Sequence, residues 1–484
     1  MSVQTPFLAG VSSQGASGVS PVPVRVTREL PFRIIPRIET YPRLVSFCQT
    51  VPGQAALLAT FGLIYALFNP NSLPLVLCLA LLTWIPGRRN QLISISTLFF
   101  AILVPWHTLP QPLYHAELVL ACIALGWLLM WCRAKWPQSW YGQNSAEILI
   151  AGFGLWIAAI SLIPWHFFHA VTLWDISIVF GSYVWYVAYI LIDRVRAPLS
   201  EFGLETGTLR PFWGSLYTPF PNGSAYLKHI EAKNPEHLAI TQLKGLKLLA
   251  WSTLILLFSK LFLQFFHGYL GVPNFTMAVS LSAHRAPLPW FVCWASLIVY
   301  FLEKVMSGAI LGHRIIACCR MAGFDALRNM YRPLSSVTVA EFFNRYYYYY
   351  KELLVTFFFL PAFLKQPSLR PKLRLALAIF VAACLGNSFF HFTRELLFIH
   401  DAGLWTALRS FQSFFFYSLV LAIALIVSRL RKRGPAPSGF FRGTLCPAVF
   451  VCFFFCLLSI FAVTDYRFPL IENLRFLGHL FFIG

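Results

Sequence analysis

The chain has 484 residues, of which 58% are hydrophobic and only 12% charged, with 38 Lys and Arg against 18 Asp and Glu. Soluble domains carry about a quarter charged residues, and this much apolar surface in water would aggregate, so an ordinary soluble domain is excluded and the solvent for most of the chain is lipid. The formal net charge of +20 could suit nucleic acid, but the basic residues cluster at the ends of apolar runs, which reads as loops retained on the cytoplasmic side of a membrane.

Residues Met1–Pro36 are rich in Ser, Gly, Pro and Val and lack the apolar stretch of a secretory signal. Residues 1–45 are expected to form a disordered or surface-lying cytosolic tail. Apolar runs follow at Val51–Phe68, Gln91–Trp106, Glu117–Cys132, Ile148–Phe168, Leu173–Ile192, Leu246–Phe266, Trp290–Leu311, Leu373–Phe392, Phe411–Val427 and Leu445–Val463. A spanning helix needs roughly 20 predominantly apolar residues, so an all-α polytopic protein of about ten to twelve spans is expected. A shorter run, Leu73–Trp84, is bracketed by Pro74 and Pro86; it is expected to span as well, paired with the first helix.

Arg88-Arg89, Arg133 with Lys135, Arg194 with Arg196, and Arg429–Arg433 each follow an apolar run, whereas Thr108–His115 and His169–Thr172 carry no Lys or Arg. This alternation places the N-terminus and the long 193–245 loop in the cytosol of an inner or plasma membrane. That loop holds Trp213, Tyr217 and Phe220 among several Pro and Gly, and is expected to pack as a structured cap between spans over 46–192 and 246–312. The eleven cysteines mostly sit inside apolar runs with no CxxC spacing, which reads as small buried hydrophobes and gives no metal site.

The region 313–392 breaks the rhythm. His313, Arg314, Arg320, Arg328, Arg332, Arg345 and Lys351 precede the short apolar run Leu353–Leu364, and Lys365, Arg370, Lys372 and Arg374 follow it. A single crossing would leave basic clusters on both sides. The segment is therefore expected to enter the membrane and return, or to lie in the interface, with broken backbone buried in protein or lining a wet cavity. Its centre is the run Tyr346–Tyr350. Read as one helix, Tyr347 and Tyr350 share a face with Asn344, and the remaining tyrosines form an interfacial aromatic belt. Spans over 393–484 complete the chain.

Four pieces in order carry a family resemblance: Arg320-Met321-Ala322-Gly323-Phe324, then Asn329-Met330-Tyr331-Arg332-Pro333, then Glu341-Phe342-Phe343-Asn344-Arg345-Tyr346 with Pro361 beyond, then Gly386-Asn387-Ser388-Phe389-Phe390-His391-Phe392. Together they resemble the membrane-bound O-acyltransferase family, and most of all its bacterial branch that acetylates polysaccharides such as alginate. The resemblance covers roughly 307–392. It implies a ring of tilted helices around a central tunnel, an acyl-CoA donor (acetyl-CoA above all) entering from the cytosol, a hydroxyl-bearing saccharide or lipid-linked acceptor from the opposite face, and in some systems a partner acyltransferase protein. It implies that His391 is the general base; imidazole suits that task because it titrates near operating pH. Asn387 four residues before and Glu395 four after would orient the ring if the helix continues. Tyr347 stands where the family places a His or Asn, and Thr356 where it places an acidic residue, so one of two expected catalytic side chains is absent. Tyr347 and Asn344 are the candidates to replace it, with Tyr350 in support and Arg345 and Lys351 as cations for the donor phosphates.

Two other function classes fit such a composition. A saccharide or lipid transporter or flippase calls for inverted halves with matching broken helices, which the sequence lacks. A polysaccharide polymerase or ligase calls for a large loop outside the cytosol, whereas the large loop here is expected inside.

Overall fold

The computed structural model describes residues 34–108, 111–163, 170–193, 202–214, 218–283, 288–431, 439–462 and 468–482. Within residues 38–484 the described chain is helical, with one isolated bridge between Glu231 and Phe324. The reason is solvent: in lipid a helix satisfies each backbone N–H and C=O within its own segment.

In chain order the first helices are α1 (Pro42–Cys48), α2 (Val51–Ala66), α3 (Leu73–Trp84), α4 (Arg89–Thr108), α5 (Pro112–Lys135), α6 (Trp140–Ile160), α7 (Ala170–Gly181) and α8 (Val184–Asp193). The middle of the chain gives α9 (Phe202–Thr208), α10 (Ser224–Ile230), α11 (Pro235–Leu263), α12 (Phe275–Ala283), α13 (Trp290–Met321), α14 (Val339–Tyr346), α15 (Tyr348–Leu354) and α16 (Leu360–Leu364). The last helices are α17 (Pro371–Phe380), α18 (Asn387–Phe392), α19 (Leu396–Ala402), α20 (Leu404–Ser410), α21 (Gln412–Leu430), α22 (Cys446–Leu458) and α23 (Leu470–Leu480). Four π-helical turns lie among them, at Gln264–Tyr269, Val355–Phe359, Val381–Gly386 and Phe441–Leu445.

Seven helices among the described residues are long and apolar enough to cross a membrane, and two bent pairs, α1 with α2 at 95° and α7 with α8 at 55°, raise this to nine. The protein is a multi-pass, all-α membrane protein. The expectation that Leu73–Trp84 spans is corrected: α3 has 12 residues, about 18 Å at 1.5 Å each, which is too short to cross a core of about 30 Å alone.

Local chemistry sets the boundaries. The bend into α2 is capped by Thr50, whose hydroxyl accepts from the Gly53 N–H at 3.2 Å; a Cβ on Gly53 would fall 1.9 Å from the Phe47 carbonyl oxygen, so only glycine permits the fold-back. Asn234 caps α11 at 2.7 Å and Thr338 caps α14 at 3.1 Å. Glu341 completes the start of α14 by accepting from the Val337 N–H at 2.8 Å. The longest helices, α11 and α13, have 29 and 32 residues, about 44 and 48 Å, so their ends reach past the apolar slab. They pack along each other, with the Ser252 hydroxyl donating to the Ile310 carbonyl at 2.9 Å.

The outer ends carry the charge pairs. Arg89 meets Glu231 at 3.0 Å, Lys244 meets Asp325 at 2.6 Å, and Lys247 meets Glu39. Burial would push the Glu39 carboxyl upward, but the Lys247 ammonium overrides it and holds the group below its usual range. The 193–245 segment is ordered where it is described: Trp213 and Phe220 are buried, and the Trp213 indole N–H donates to the Phe220 carbonyl at 3.1 Å. Tyr217 lies outside the described residues.

Among the described residues three hydrophobic cores result. The first joins α2, α3, α11 and α13 to Trp213, Phe220 and Tyr226. The second gathers α5 to α8 with Leu353, Leu354, Phe357 and Phe390. The third gathers α12, α13, α21, α22 and α23 with Phe342.

Candidate functional site

The five tyrosines lie where these three cores meet. Tyr349 belongs to the first core, with Tyr347 and Tyr348 packed on it; Tyr350 packs on the second and Tyr346 on the third. Phe343, one turn earlier, touches both the second and the third. The run is thus a junction between cores, and the expectation of an interfacial belt is corrected.

The expectation of one continuous helix is corrected as well. Helix α14 ends at Tyr346, and Tyr347 has φ −142° and ψ 78°, outside the helical region. The break is braced from a distance. The Tyr348 N–H donates to the Asn329 backbone carbonyl at 2.9 Å, and the Tyr349 N–H donates to the Asn329 side-chain oxygen at 3.3 Å. From the other side, the Tyr331 N–H donates to the Arg345 carbonyl at 2.9 Å. One short segment, Asn329–Tyr331, therefore satisfies both ends of the broken helix, the orphan groups that a terminus otherwise leaves open. Gly308 on α13 makes room: a Cβ there would sit 3.3 Å from the Tyr347 ring and 3.2 Å from Met330.

The break changes which side chains meet. Tyr347 and Tyr350 remain neighbours, with ring centroids 6.4 Å apart and planes at 89°. Asn344 does not join them. It is exposed on α14, and the helical register that would align it with Tyr350 stops at Tyr346. Tyr348 carries Lys351 over its ring at 4.7 Å. Tyr349 is fully buried and donates its hydroxyl to the Leu327 carbonyl at 2.9 Å.

His391 arrives from α18. The π turn Val381–Gly386 inserts one extra residue into that span, a device that re-aims side chains and recurs at functional sites. It faces the second π turn, Val355–Phe359, through Gly386, where a Cβ would fall 2.5 Å from the Phe358 ring. The imidazole sits 4.4 Å from the Phe414 ring, 5.3 Å from Phe390 and 5.7 Å from Tyr350 (centroid distances), edge-on to the last at 78°. It is only partly buried, and among the described residues its ring nitrogens have no hydrogen-bond partner.

Asn387 does not orient the imidazole. Its side-chain oxygen accepts the Tyr350 hydroxyl, and its amide N–H donates to the Ser418 hydroxyl at 3.0 Å. The result is a buried chain Tyr350–Asn387–Ser418 that ties α15, α18 and α21 together. Glu395 is also displaced from the expected face: α18 ends at Phe392, and Glu395 lies past the turn as the first flanking residue of α19. Arg394 stands in that turn, its guanidinium 5.9 Å from the Phe390 ring centroid, and its charge reaches Tyr347, Tyr350 and His391.

The two cations expected to hold donor phosphates are already paired. Arg345 meets Glu341 at 2.6 Å and donates to the Ser335 hydroxyl at 3.0 Å, with a side chain only 9% exposed. Lys351 pairs with Glu352, which is buried.

The structure thus brings together Tyr347, Tyr350, His391 and Asn387, and leaves Asn344, Glu395, Arg345 and Lys351 in other roles. Sequence reasoning passed over Ser418, Phe414 and the bracing role of Asn329. Ser418 carried a usable signal, a hydroxyl in the middle of a mostly apolar run. No protein-family model matches the chain, and no protein of curated function is similar enough to it to count as a relative.

Proposed function

We propose that the protein is a membrane-embedded O-acyltransferase that moves an acyl group from a thioester donor, acetyl-CoA or a longer acyl-CoA, to the hydroxyl of a saccharide or lipid-linked acceptor. The observation that carries this reading is His391: a half-buried imidazole in the last turn of a candidate span, without a hydrogen-bond partner among the described residues, in ring contact with Tyr350, which in turn packs on Tyr347 at a braced helix break. An ionisable side chain kept in the interior of a membrane protein is expensive and marks function by default.

In the reaction, one imidazole nitrogen takes the proton of the acceptor hydroxyl as its oxygen attacks the thioester carbonyl carbon. The C–S bond breaks, and the thiolate leaves with that proton as free thiol, so the products are an ester and CoA. A base of this kind contributes about 10²- to 10⁴-fold in rate. The Tyr347 hydroxyl, unlike that of Tyr350, has no side-chain acceptor among the described residues. A phenol can donate, and this one is suited to the oxygen that gains negative charge during attack. The basic ends of α5 and α21, read by the positive-inside rule, support a cytosolic N-terminus and a donor approaching from the cytosol.

The test is transfer itself. The purified chain in lipid vesicles is incubated with acyl-CoA radiolabelled in the acyl group and with membrane extract as acceptor. Label passing into a hydroxylamine-sensitive ester, and absent with His391→Ala, supports the reading. Equal labelling by both proteins, or none with any acyl chain length, overturns it.

A further inference from the structure

Outside the tyrosine junction, the Arg133 side chain is enclosed without a hydrogen-bond partner among the described residues. Arg133 lies in the last turn of α5 and is only 6% exposed. Its Nε and Nη1 are buried with no hydrogen-bond partner among the described residues, whereas Nη2 is not sealed in this way. Buried guanidinium donors are nearly always matched by acceptors, and the described residues supply none here. The carboxylate whose charge reaches it, Glu147 on α6, makes its ion pair with Lys365 at 3.9 Å. The Tyr141 hydroxyl donates away, to the Leu129 carbonyl at 3.1 Å.

The surroundings fix the depth. The four-residue turn from α5 to α6 is rigid: the Ser139 hydroxyl donates to the Trp136 carbonyl at 2.7 Å and accepts from the Gly142 N–H at 2.9 Å. A Cβ on Gly142 would fall 2.2 Å from that same carbonyl oxygen. Around the turn Trp131, Trp136 and Trp140 are 52%, 48% and 74% exposed, and the Lys135 ammonium lies 4.8 and 5.2 Å from the first two rings. Exposed tryptophans at the end of a spanning helix mark the headgroup layer. Arg133, Lys135 and Lys365 outnumber Glu147, so the turn has an unmet demand for an anion at headgroup depth.

We propose that the α5–α6 turn binds the phosphodiester of an acidic phospholipid, with Nη2, the one Arg133 guanidinium nitrogen that is not sealed, donating to a phosphate oxygen and Lys135 beside it. A guanidinium N–H to a phosphate is a charge-assisted hydrogen bond, and the tryptophans pack along the lipid's glycerol and upper acyl chains. The phosphate could in principle be free in solution; the tryptophan rim selects the lipid.

The full chain purified in detergent is titrated with short-chain phosphatidylglycerol, with phosphatidylcholine of the same chain length, and with inorganic phosphate, and binding is read by native mass spectrometry and by thermal melting. Phosphatidylglycerol should bind saturably and raise the melting temperature, with phosphatidylcholine weaker and inorganic phosphate without effect. Arg133→Gln should weaken the phosphatidylglycerol Kd roughly tenfold or more, the scale of a charge-assisted hydrogen bond. Arg88→Gln, a change at another basic end, should not. If Arg133→Gln does not accumulate folded, Arg133→Lys keeps the charge without the guanidinium Nη2 donor and should still bind more weakly than wild type. Wild-type affinity in the Arg133 variants, equal binding of the two lipids, or an equal response to inorganic phosphate would overturn the assignment.

Discussion

The Tyr350 hydroxyl donates to the Asn387 side-chain oxygen, and so connects the broken helix that carries the tyrosines to the span that carries His391. Asn387 is 2% exposed and spends its amide N–H on Ser418 of α21. Its two polar atoms are thereby both used, and three helices are held in one register at the point where the cores meet.

Removing the middle member should therefore cost more than removing an end. Asn387→Ala leaves a phenol and a serine hydroxyl buried without partners, which costs about 1–3 kcal/mol for each group that stays unsatisfied. Ser418→Ala leaves a single buried group, the Asn387 amide N–H, unsatisfied, which costs about 1–3 kcal/mol. The double variant should be less destabilised than the sum of the two, because the residues share one network. Thermal melts of the purified variants measure this, and strict additivity would show that the chain is not a unit.

A second prediction concerns pH. The folded Glu39 carboxyl lies below its usual value because Lys247 holds it charged against the upward push of burial. A group whose folded pKa is depressed stabilises the protein above its unfolded pKa and loses that contribution as pH falls through the folded value. The melting temperature should accordingly fall as pH drops through and below the usual glutamate range, and Glu39→Gln should flatten that limb while lowering stability at neutral pH. The Lys247 side chain, 8% exposed, is then left without its carboxylate. An unchanged acid limb in Glu39→Gln would assign it to other carboxylates.

The legible part of this protein was set by solvent. Apolar runs and basic ends are local signals, and they placed the spans because lipid leaves a chain few alternatives. The site was legible only in its parts. His391 and Tyr347 are polar groups where polar groups are costly, and that marks them in one dimension. The break at Tyr347 has no Gly or Pro to announce it; its cause is Asn329, whose carbonyl and side chain capture the next two N–H groups. The end of α18 is equally silent, since Thr393, Arg394 and Glu395 could all continue a helix. Asn387 was placed on the correct face with the wrong partner, because Ser418 lies 31 residues on, in another span.

The third prediction is that His391→Ala abolishes acyl transfer, a loss of about 10²- to 10⁴-fold, with expression and membrane insertion unchanged. The imidazole makes ring contacts with Phe414, Phe390 and Tyr350, so a second variant, His391→Phe, retains much of that packing and isolates the proton-transfer role. Transfer assays on both are decisive: activity in His391→Phe would reduce the residue to a packing element.

The last prediction separates the five tyrosines by what their hydroxyls touch. Tyr349 gives its hydroxyl to the Leu327 carbonyl, so Tyr349→Phe should lower stability by about 1 kcal/mol and leave turnover alone. The Tyr350 hydroxyl is held by Asn387, so Tyr350→Phe should loosen the network described above and shift stability first. Tyr346 reaches the Lys304 carbonyl at 3.4 Å, the limit of a hydrogen bond, and Tyr346→Phe should be nearly silent. Tyr348 lies under Lys351, an interaction with the ring face that phenylalanine preserves, so Tyr348→Phe should be silent too. Tyr347 differs from its neighbours: its ring is fixed between Tyr346 and Tyr350, its backbone forms the break, and its hydroxyl has no partner among the described residues. If that hydroxyl stabilises the developing oxyanion, Tyr347→Phe should cost about 10²- to 10³-fold in turnover with a melting temperature like that of the wild type. Steady-state kinetics and melts on the five single variants check the pattern. A Tyr347→Phe variant as fast as Tyr346→Phe would remove the phenol from the proposed chemistry and leave the tyrosine run with a structural task only, that of joining three cores.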